Sequence, residues 1–265
     1  MKLTRLWPAR FNRAHREDVR LRQMKRYEAT ETTLLGHRIR IVDAPTFLSG
    51  RHEIFERRVY DFEAGRSDPL IIDCGSNIGL SVIFFKQRYP DARVIAFEAD
   101  PDIFRILDYN VRQFGHADVA LHNAAVWTHN GELSFCLEGG LSGRLPKGDG
   151  DAPKQVKVQG ARLRDVLAKA PVDFLKMDIE GAEAAVLEDC REFVRSDWIR
   201  HLFLEYHSHV QEPQVLHEIL ALLRAGGYRY HIHTAYTRKC PFLDRRTLVG
   251  MDLQLNVYAY AAPAI

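Results

Sequence analysis

Ile71-Ile72-Asp73-Cys74-Gly75-Ser76-Asn77-Ile78-Gly79 decides how the rest of this 265-residue chain is read. An apolar strand runs into an acid, two glycines bracket a tight turn, and apolar residues at helical spacing follow. Glycine at such a turn permits positive φ and lets the backbone approach a ligand closely. Working outward, Leu70–Cys74 is predicted as a strand and Ile78–Arg88 as a helix closed by Tyr89-Pro90. Arg93–Glu98 reads as a second strand, Pro101–Phe114 as a helix followed by Gly115, and Val119–Asn123 as a third strand. Strands at Val172–Asp178 and His201–Glu205 follow, with helices at Ala182–Cys190 and Gln214–Ala225. Tyr228–Thr234 and Leu253–Ala259 read as a closing pair of strands. Such alternation means an α/β fold: a doubly wound, mostly parallel sheet with helices on both faces.

Two regions fall outside this rhythm. Strands at Leu133–Leu137 and Gln155–Gln159 flank a Gly-rich stretch at 139–150. Ahead of the α/β unit, residues 32–42 read as a hairpin turning near Gly36-His37, and residues 50–64 as a helix carrying Ile54, Phe55, Val59 and Phe62. The expected organisation is an N-terminal extension over 1–68 (basic arm, hairpin and helix) and an α/β domain over 69–265.

Composition narrows the class. A hydrophobic content of 46% is ordinary for a globular protein, and no apolar run approaches the roughly 20 residues that span a bilayer. The N-terminus opens with charges rather than an apolar signal region, and four scattered cysteines (Cys74, Cys136, Cys190, Cys240) form no CxxC pair. Both features point to a cytoplasmic protein without a disulfide framework or zinc site. The net charge of +2 implies no nucleic-acid partner. It is unevenly spread, however: residues 1–29 carry +6 and the remainder about −4. The plain reading of this arm is a solvated, partly helical segment. Leu3, Leu6, Trp7, Phe11 and Val19 would alternatively touch an anionic membrane surface or a partner subunit of a homo-oligomer, but their spacing is irregular.

A doubly wound sheet binds ligands at the carboxyl ends of its strands, beside the point where strand order reverses. A dinucleotide loop would read GxGxxG, its second glycine admitting a pyrophosphate. Here Asn77 stands in that place. S-adenosylmethionine has no pyrophosphate to admit, and it carries an ammonium that Asp73 could help hold. Glu98, nineteen positions after Gly79, ends the second strand where a carboxylate can accept hydrogen bonds from both hydroxyls of a ribose. Asn123 and Ala124 offer an amide and a small residue for an adenine. The expected cofactor site is therefore Asp73, Gly75, Asn77, Gly79, Glu98, Asn123, Ala124 and Asp178.

The stretch IIDCGSNIGLSVIFFKQRYPDARVIAFEADP, then NAAVW, VDFLKMDIEGAE and FLEYH, resembles the FkbM family of methyltransferases. The likeness runs from about Gly36 to about Leu223 and takes in the helix with Glu53 and Tyr60. Its most specific element is Lys176-Met177-Asp178-Ile179-Glu180-Gly181-Ala182-Glu183. Ala99 departs from a proline common in the family, without consequence for the ribose contact. The resemblance implies a class I methyltransferase (Rossmann-like) fold, S-adenosylmethionine as cofactor, and O-methylation of hydroxyls on sugars, glycolipids or polyketide-derived products. It leaves the acceptor, a small molecule or glycan, unspecified.

On the fourth strand Lys176 and Asp178 share one face, because side chains alternate. Asp178 ends that strand and should face the cofactor's methyl group. Methyl transfer is an in-line displacement, and a general base for the acceptor hydroxyl adds about 10²- to 10⁴-fold. His207, on the face of the fifth strand that also carries Glu205, is the leading candidate because free imidazole is mostly neutral near pH 7. Asp178 is the second candidate, and closing a strand end is the bland alternative for His207. Glu183 is expected to serve structure at a helix start, Glu180 to play a mixed role, and Gly181 to satisfy backbone geometry. His209, His217, His231 and His233 carry less weight. Acceptor contacts are expected from Tyr60, Arg144, Lys176, Glu180 and Glu205, with the Gly-rich segment 138–151 (Ser142, Arg144, Lys147) as a candidate lid or a plain surface loop. Asp178, Glu205 and His207 would sit where Mg²⁺ could bind, but histidine is not that ion's preferred partner, so no metal ligand is assigned. The alternative function is a protein or nucleic-acid methyltransferase using the basic arm, against which the slightly acidic body weighs. A binding module that has lost catalysis is opposed by the intact Asp73, Gly75, Gly79 and Glu98.

Overall fold

The computed structural model describes residues 9–137, 143–144, 155–235, 239–243, 247 and 250–261. In chain order the N-terminal elements are α1 (Ala9–Arg22), β1 (Thr30–Leu34), β2 (His37–Ile41) and α2 (Ala44–Arg51), which runs into a π-helical turn at His52–Glu56. The α/β unit begins with β3 (Leu70–Cys74), α3 (Leu80–Arg88), β4 (Arg93–Glu98), α4 (Pro101–Gln113) and β5 (Ala120–Asn123). Then come β6 (Ala125–Trp127), β7 (Gly131–Leu137), β8 (Gly143–Arg144), β9 (Gln155–Arg162) and α5 (Leu163–Leu167). The chain continues with β10 (Val172–Met177), α6 (Glu183–Asp189), β11 (Ile199–His209), α7 (Leu216–Ala225), β12 (Tyr228–Thr234) and β13 (Met251–Ala261).

Seven strands form the central sheet in the order β12-β13-β11-β10-β3-β4-β5. All neighbours from β11 to β5 are parallel, and only β13, inserted between β11 and β12, runs against them. Strand order reverses between β3 and β10, so their carboxyl ends open the crevice where a ligand binds. Both strands are buried along their whole length, so their polar residues, Asp73 on β3 and Asp173 and Lys176 on β10, are buried with them. The strands that broke the α/β rhythm form a separate small sheet, β6-β9-β7-β8.

The N-terminal elements pack against the α3–α4 face. Leu21, Ile39, Phe47, Tyr60 and Phe62 share one apolar cluster with Ile71, Phe85, Phe174 and Phe203, so this cluster runs across residue 68. The hairpin turns at Leu35 (φ 51) and Gly36 (φ 92), the two positive-φ positions of a tight two-residue turn. The single helix expected over 50–64 is a correction. Asp43 instead caps a helix with Pro45 in its first turn, accepting from the amide of Thr46 at 3.2 Å, and Arg58 at φ 56 ends the helical path. The basic arm is helical from Ala9, and its far end is docked: Leu21 is fully buried and Asp18 takes a two-pronged contact from Arg51 at 2.8 and 2.9 Å. Residues 1–8, with Leu3, Leu6 and Trp7, lie outside the described residues, as does the side chain of Phe11. Among the described residues no helix is long and apolar enough to cross a membrane, and Cys74, Cys190 and Cys240 are free thiols.

One buried amide ties extension, helix and loop together. Asn110 on α4 accepts from the amide of Arg40 (2.7 Å) and donates to the carbonyls of Arg40 (2.9 Å) and Ile78 (2.8 Å). Its removal strands three backbone groups in a region where Asn110 itself is fully buried. Asn110→Ala should therefore cost about 2–4 kcal/mol in urea unfolding, whereas a loss below about 1 kcal/mol would show that water replaces these bonds freely.

Candidate cofactor and acceptor site

The site starts from a steric requirement. Gly75 follows β3 at φ +82, and a Cβ placed there would lie 1.8 Å from the carbonyl oxygen of Asp178. The amide of Asp178 in turn donates to the carbonyl of Cys74 at 3.1 Å, so the ends of β3 and β10 lie against each other at this point. Amides of Gly75 and Ser76 donate to the carbonyl of Phe97 on β4 at 3.0 and 2.9 Å. Asn77 takes a left-handed conformation, φ 48, which asparagine tolerates better than most residues. Its amide donates to Glu98 Oε2 at 2.9 Å, while Glu98 Oε1 accepts from the amide of Asp100 at 2.8 Å.

Gly75, Asn77, Glu98, Ala124 and Asp178 line a cavity completed by Phe97, Val126, Phe135 and Ile179. A carboxylate at one side and apolar walls at the other suit a ribose and an adenine. Burial pushes the Glu98 carboxyl up to about 7, since the bonds from Asp100 and Asn77 only partly offset its desolvation.

Three expected cofactor residues are placed differently. Asp73 is fully buried and lines neither this cavity nor the neighbouring one. Its Oδ2 accepts from the Ser81 hydroxyl, and its Oδ1 lies 3.3 Å from Lys176 Nζ. It braces the loop from within the protein, through Ser81 and Lys176. Asn123 turns its amide back onto the carbonyls of Glu98 (2.9 Å) and Ala99 (3.2 Å), leaving the wall to Ala124. Gly79, at φ +92, meets α4: a Cβ there would stand 2.8 Å from Leu107 Cδ1, so its role is close packing.

A second cavity opens on the other side of Asp178. It is lined by Glu53, Ile54, Tyr60, Gly75, Asn77, Lys176, Asp178 and Glu205, with Asp43, Thr46 and Phe47 from the extension. Lys176 reaches across its floor, donating to the Gly75 carbonyl at 2.8 Å and lying 3.3 Å from both Asp73 Oδ1 and Asp178 Oδ2. Burial opposes this ammonium, but Asp73 and Asp178 outweigh it and hold its pKa well above the usual lysine range. Lys176 thus braces Gly75, Asp73 and Asp178 at the wall of the cavity that it lines. Burial and the nearby Asp178 push the Glu205 carboxyl up to about 8, and Gln254 on β13 donates to it. Burial also raises the Tyr60 phenol well above its usual range, which leaves this side chain a neutral wall of the cavity.

His207 departs from its expected chemistry. Burial disfavours its cation, yet Glu183, bonded to Nδ1 at 3.1 Å, together with Glu180 and Asp178, holds its pKa well above that of free imidazole. The ring is thus charged near pH 7 and cannot act as the free base. Glu183, expected only to complement a helix, is the partner that sequence spacing did not reveal. It is 1% exposed, and the same oxygen also accepts from the amides of Ile179 (3.2 Å) and Gly181 (3.1 Å). Glu180, at φ 55, places its Oε2 3.6 Å from His207 Nε2. Two other residues, Glu53, named in the sequence only within the family resemblance, and Gln254, absent from the sequence reading, enter through the packing of the extension and of β13. The lid segment 138–151 lies outside the described residues except for Gly143 and Arg144, and the Arg144 side chain is outside them as well. His231 and His233 lie in strand β12, as expected.

A glycine turn after the first parallel strand, a ribose-spaced carboxylate after the second, and this strand order define an S-adenosylmethionine-dependent methyltransferase. The chain belongs to the FkbM family of methyltransferases: the model described as "Methyltransferase FkbM domain" matches residues 73–230. Methyltransferase 1 of Beauveria bassiana is 28% identical over 158 residues, covering 51% of this chain and 64% of that protein. The 31-O-demethyl-FK506 methyltransferase FkbM of Streptomyces tacrolimicus is 27% identical over 216 residues, 66% of this chain and 79% of that protein. The 2-O-methyltransferase NoeI of Sinorhizobium fredii is 29% identical over 160 residues, 53% of this chain and 64% of that protein. The match thus spans just under two thirds of the Beauveria and Sinorhizobium proteins.

Two outcomes test this geometry. Gly75→Ala should abolish S-adenosylmethionine binding in isothermal titration, since the added carbon collides with backbone; retained affinity would refute the close approach. Glu98 has a raised pKa, and ribose hydroxyls need an acceptor, so affinity should rise with pH through about 7. It should fall by up to about tenfold per unit below that value. Glu98→Gln should bind weakly and flatten the profile between pH 6 and 8.5.

Proposed function

We propose that this enzyme transfers the methyl group of S-adenosylmethionine to a hydroxyl of a sugar or of a glycosylated or polyketide-like product. The observation that carries this reading is that Asp178, with Gly75 and Asn77, lines both cavities. A sulfonium methyl at the end of the adenosyl cavity would therefore meet an acceptor held in the second one. In-line transfer needs the acceptor oxygen, methyl carbon and sulfur aligned, and a shared wall at one carboxylate supplies that alignment. The second cavity is rich in acceptors of hydrogen bonds: Glu53, Asp178 and Glu205 suit a ligand carrying several hydroxyls. Phe47, Ile54 and Tyr60 offer an apolar side against which a sugar ring or macrocycle can lie. The names of the FK506 and NoeI relatives, both O-methyltransferases, support the same chemistry.

In this reading Asp178 receives the proton of the attacking hydroxyl. The S–CH₃ bond breaks as the O–CH₃ bond forms, and S-adenosylhomocysteine departs neutral at sulfur. Lys176 fixes the Asp178 carboxylate from behind through Oδ2. Glu205 and Glu53 orient neighbouring hydroxyls. His207, anchored by Glu183, stands with its Nε2 3.9 Å from Asp178 Oδ1.

Asp178→Asn should lower kcat by about 10²- to 10⁴-fold, the usual contribution of a positioned base. The assay is tritiated-methyl transfer screened over nucleotide sugars, lipid-linked glycans and macrolides. No hydroxyl methylated by the wild type would sink the substrate class, and undiminished turnover in the variant would remove Asp178 from the role of base.

A further inference from the structure

We infer that Asp178, Glu180 and His207 form a binding site for a divalent transition-metal cation of the Mn²⁺ type, with Glu205 within reach as a fourth ligand. One nitrogen and two carboxylate oxygens from these three residues lie within 4.8 Å of one another. His207 Nε2 stands 3.6 Å from Glu180 Oε2, 3.9 Å from Asp178 Oδ1 and 3.9 Å from Glu205 Oε1. All three distances exceed a hydrogen bond. An ion about 2.0–2.2 Å from each ligand atom would set neighbouring ligands about 3.0–3.5 Å apart, so the carboxylates must draw in toward Nε2 to complete the shell.

One observation beyond proximity points to a ligand, the aim of His207. Its side chain is 2% exposed, and its Nδ1 is held by Glu183 at 3.1 Å, so Nε2 is directed at the three carboxylates. A carboxylate on the far ring nitrogen is the arrangement that orients a metal-binding imidazole, and an ion bound at Nε2 takes the place of the proton there. Lys176 faces Asp73 and the Oδ2 edge of Asp178, which leaves the Oδ1 edge directed at His207.

The donor set selects the ion. Mg²⁺ and Ca²⁺ take all-oxygen shells, whereas an imidazole beside carboxylates favours Mn²⁺, Fe²⁺ or Zn²⁺. Asp178 lines both cavities, Glu180 the first and Glu205 the second, whereas His207 lines neither, so the ion would reach the two cavities through its carboxylate ligands. Ion binding is independent of which acceptor the enzyme uses, so its test does not depend on the substrate class proposed above.

The experiment is titration of Mn²⁺ into full-length, EDTA-treated protein, following the free-ion signal by electron paramagnetic resonance. One Mn²⁺ per chain is expected, with affinity weakened at least about tenfold in both His207→Gln and Glu180→Gln. Glu188→Gln, on the exposed side of α6, should bind as the wild type does. Thermal unfolding of each variant separates loss of the site from loss of the fold, and Glu180→Gln, half-exposed at the cavity mouth, keeps the test valid if His207→Gln unfolds. Displacement of Mn²⁺ by Zn²⁺ would support the assignment. Absence of binding up to millimolar Mn²⁺, or equal binding by wild type and both variants, would overturn it. Equally tight Mg²⁺ binding that ignores His207→Gln would also overturn the nitrogen ligand. None of these outcomes bears on S-adenosylmethionine binding, which is measured separately on the same samples.

Discussion

The site depends on one buried ammonium. Lys176 projects from the carboxyl end of β10 and meets Asp73 from β3, Asp178 beyond its own strand, and the carbonyl of Gly75 in the turn. Three pieces of backbone, which carry Asp73, the Gly75 turn and Asp178, are thereby held by one charge. Burying a lysine is costly unless its charge is matched, and here two carboxylates match it. The arrangement is rigid for the same reason. Removing Asp73, fully buried like the ammonium it faces, would leave Lys176 short of a compensating charge.

Around this strut the acids take roles that their positions along the chain do not announce. Asp73 supports the loop from below, Glu98 faces the ribose position, and Asp178 sits where the two cavities meet. Glu183 lies under His207 and changes what that ring can do. An imidazole with a carboxylate on Nδ1 and further carboxylates beyond Nε2 is a cation holder or a metal ligand, and a poor proton acceptor. The same cluster that denies His207 the role of base therefore makes it suited to hold an ion.

Much of the architecture was legible in one dimension. The strand-turn-helix at Ile71–Gly79, the spacing to Glu98 and the alternation of strands and helices all carry local periodicity, and they identify the doubly wound sheet and its ligand edge. The misreadings have physical causes. Residues 50–64 looked helical because Ile54, Phe55, Val59 and Phe62 are buried or half-buried at that spacing, yet Asp43 and Pro45 start the helix earlier and Arg58 ends it. Asn123 and Gly79 were read as facing the cofactor because they flank residues that do. The Asn123 amide is turned by the carbonyls of Glu98 and Ala99, and Gly79 packs against Leu107, contacts with residues 24 to 28 positions away.

The sequence by itself determined the fold class, the cofactor edge and the identity of the carboxylates, because strand period, turn glycines and the acid at a strand end are encoded within a few residues. Only the tertiary structure decided which acid does what. That assignment depends on burial and on partners brought from other elements: Lys176 to Asp73, Glu183 to His207, Gln254 to Glu205, and Glu53 from the N-terminal extension. Charge and hydrogen-bonding capacity are written in the side chain, but the pKa and reach that turn them into function are properties of the surroundings.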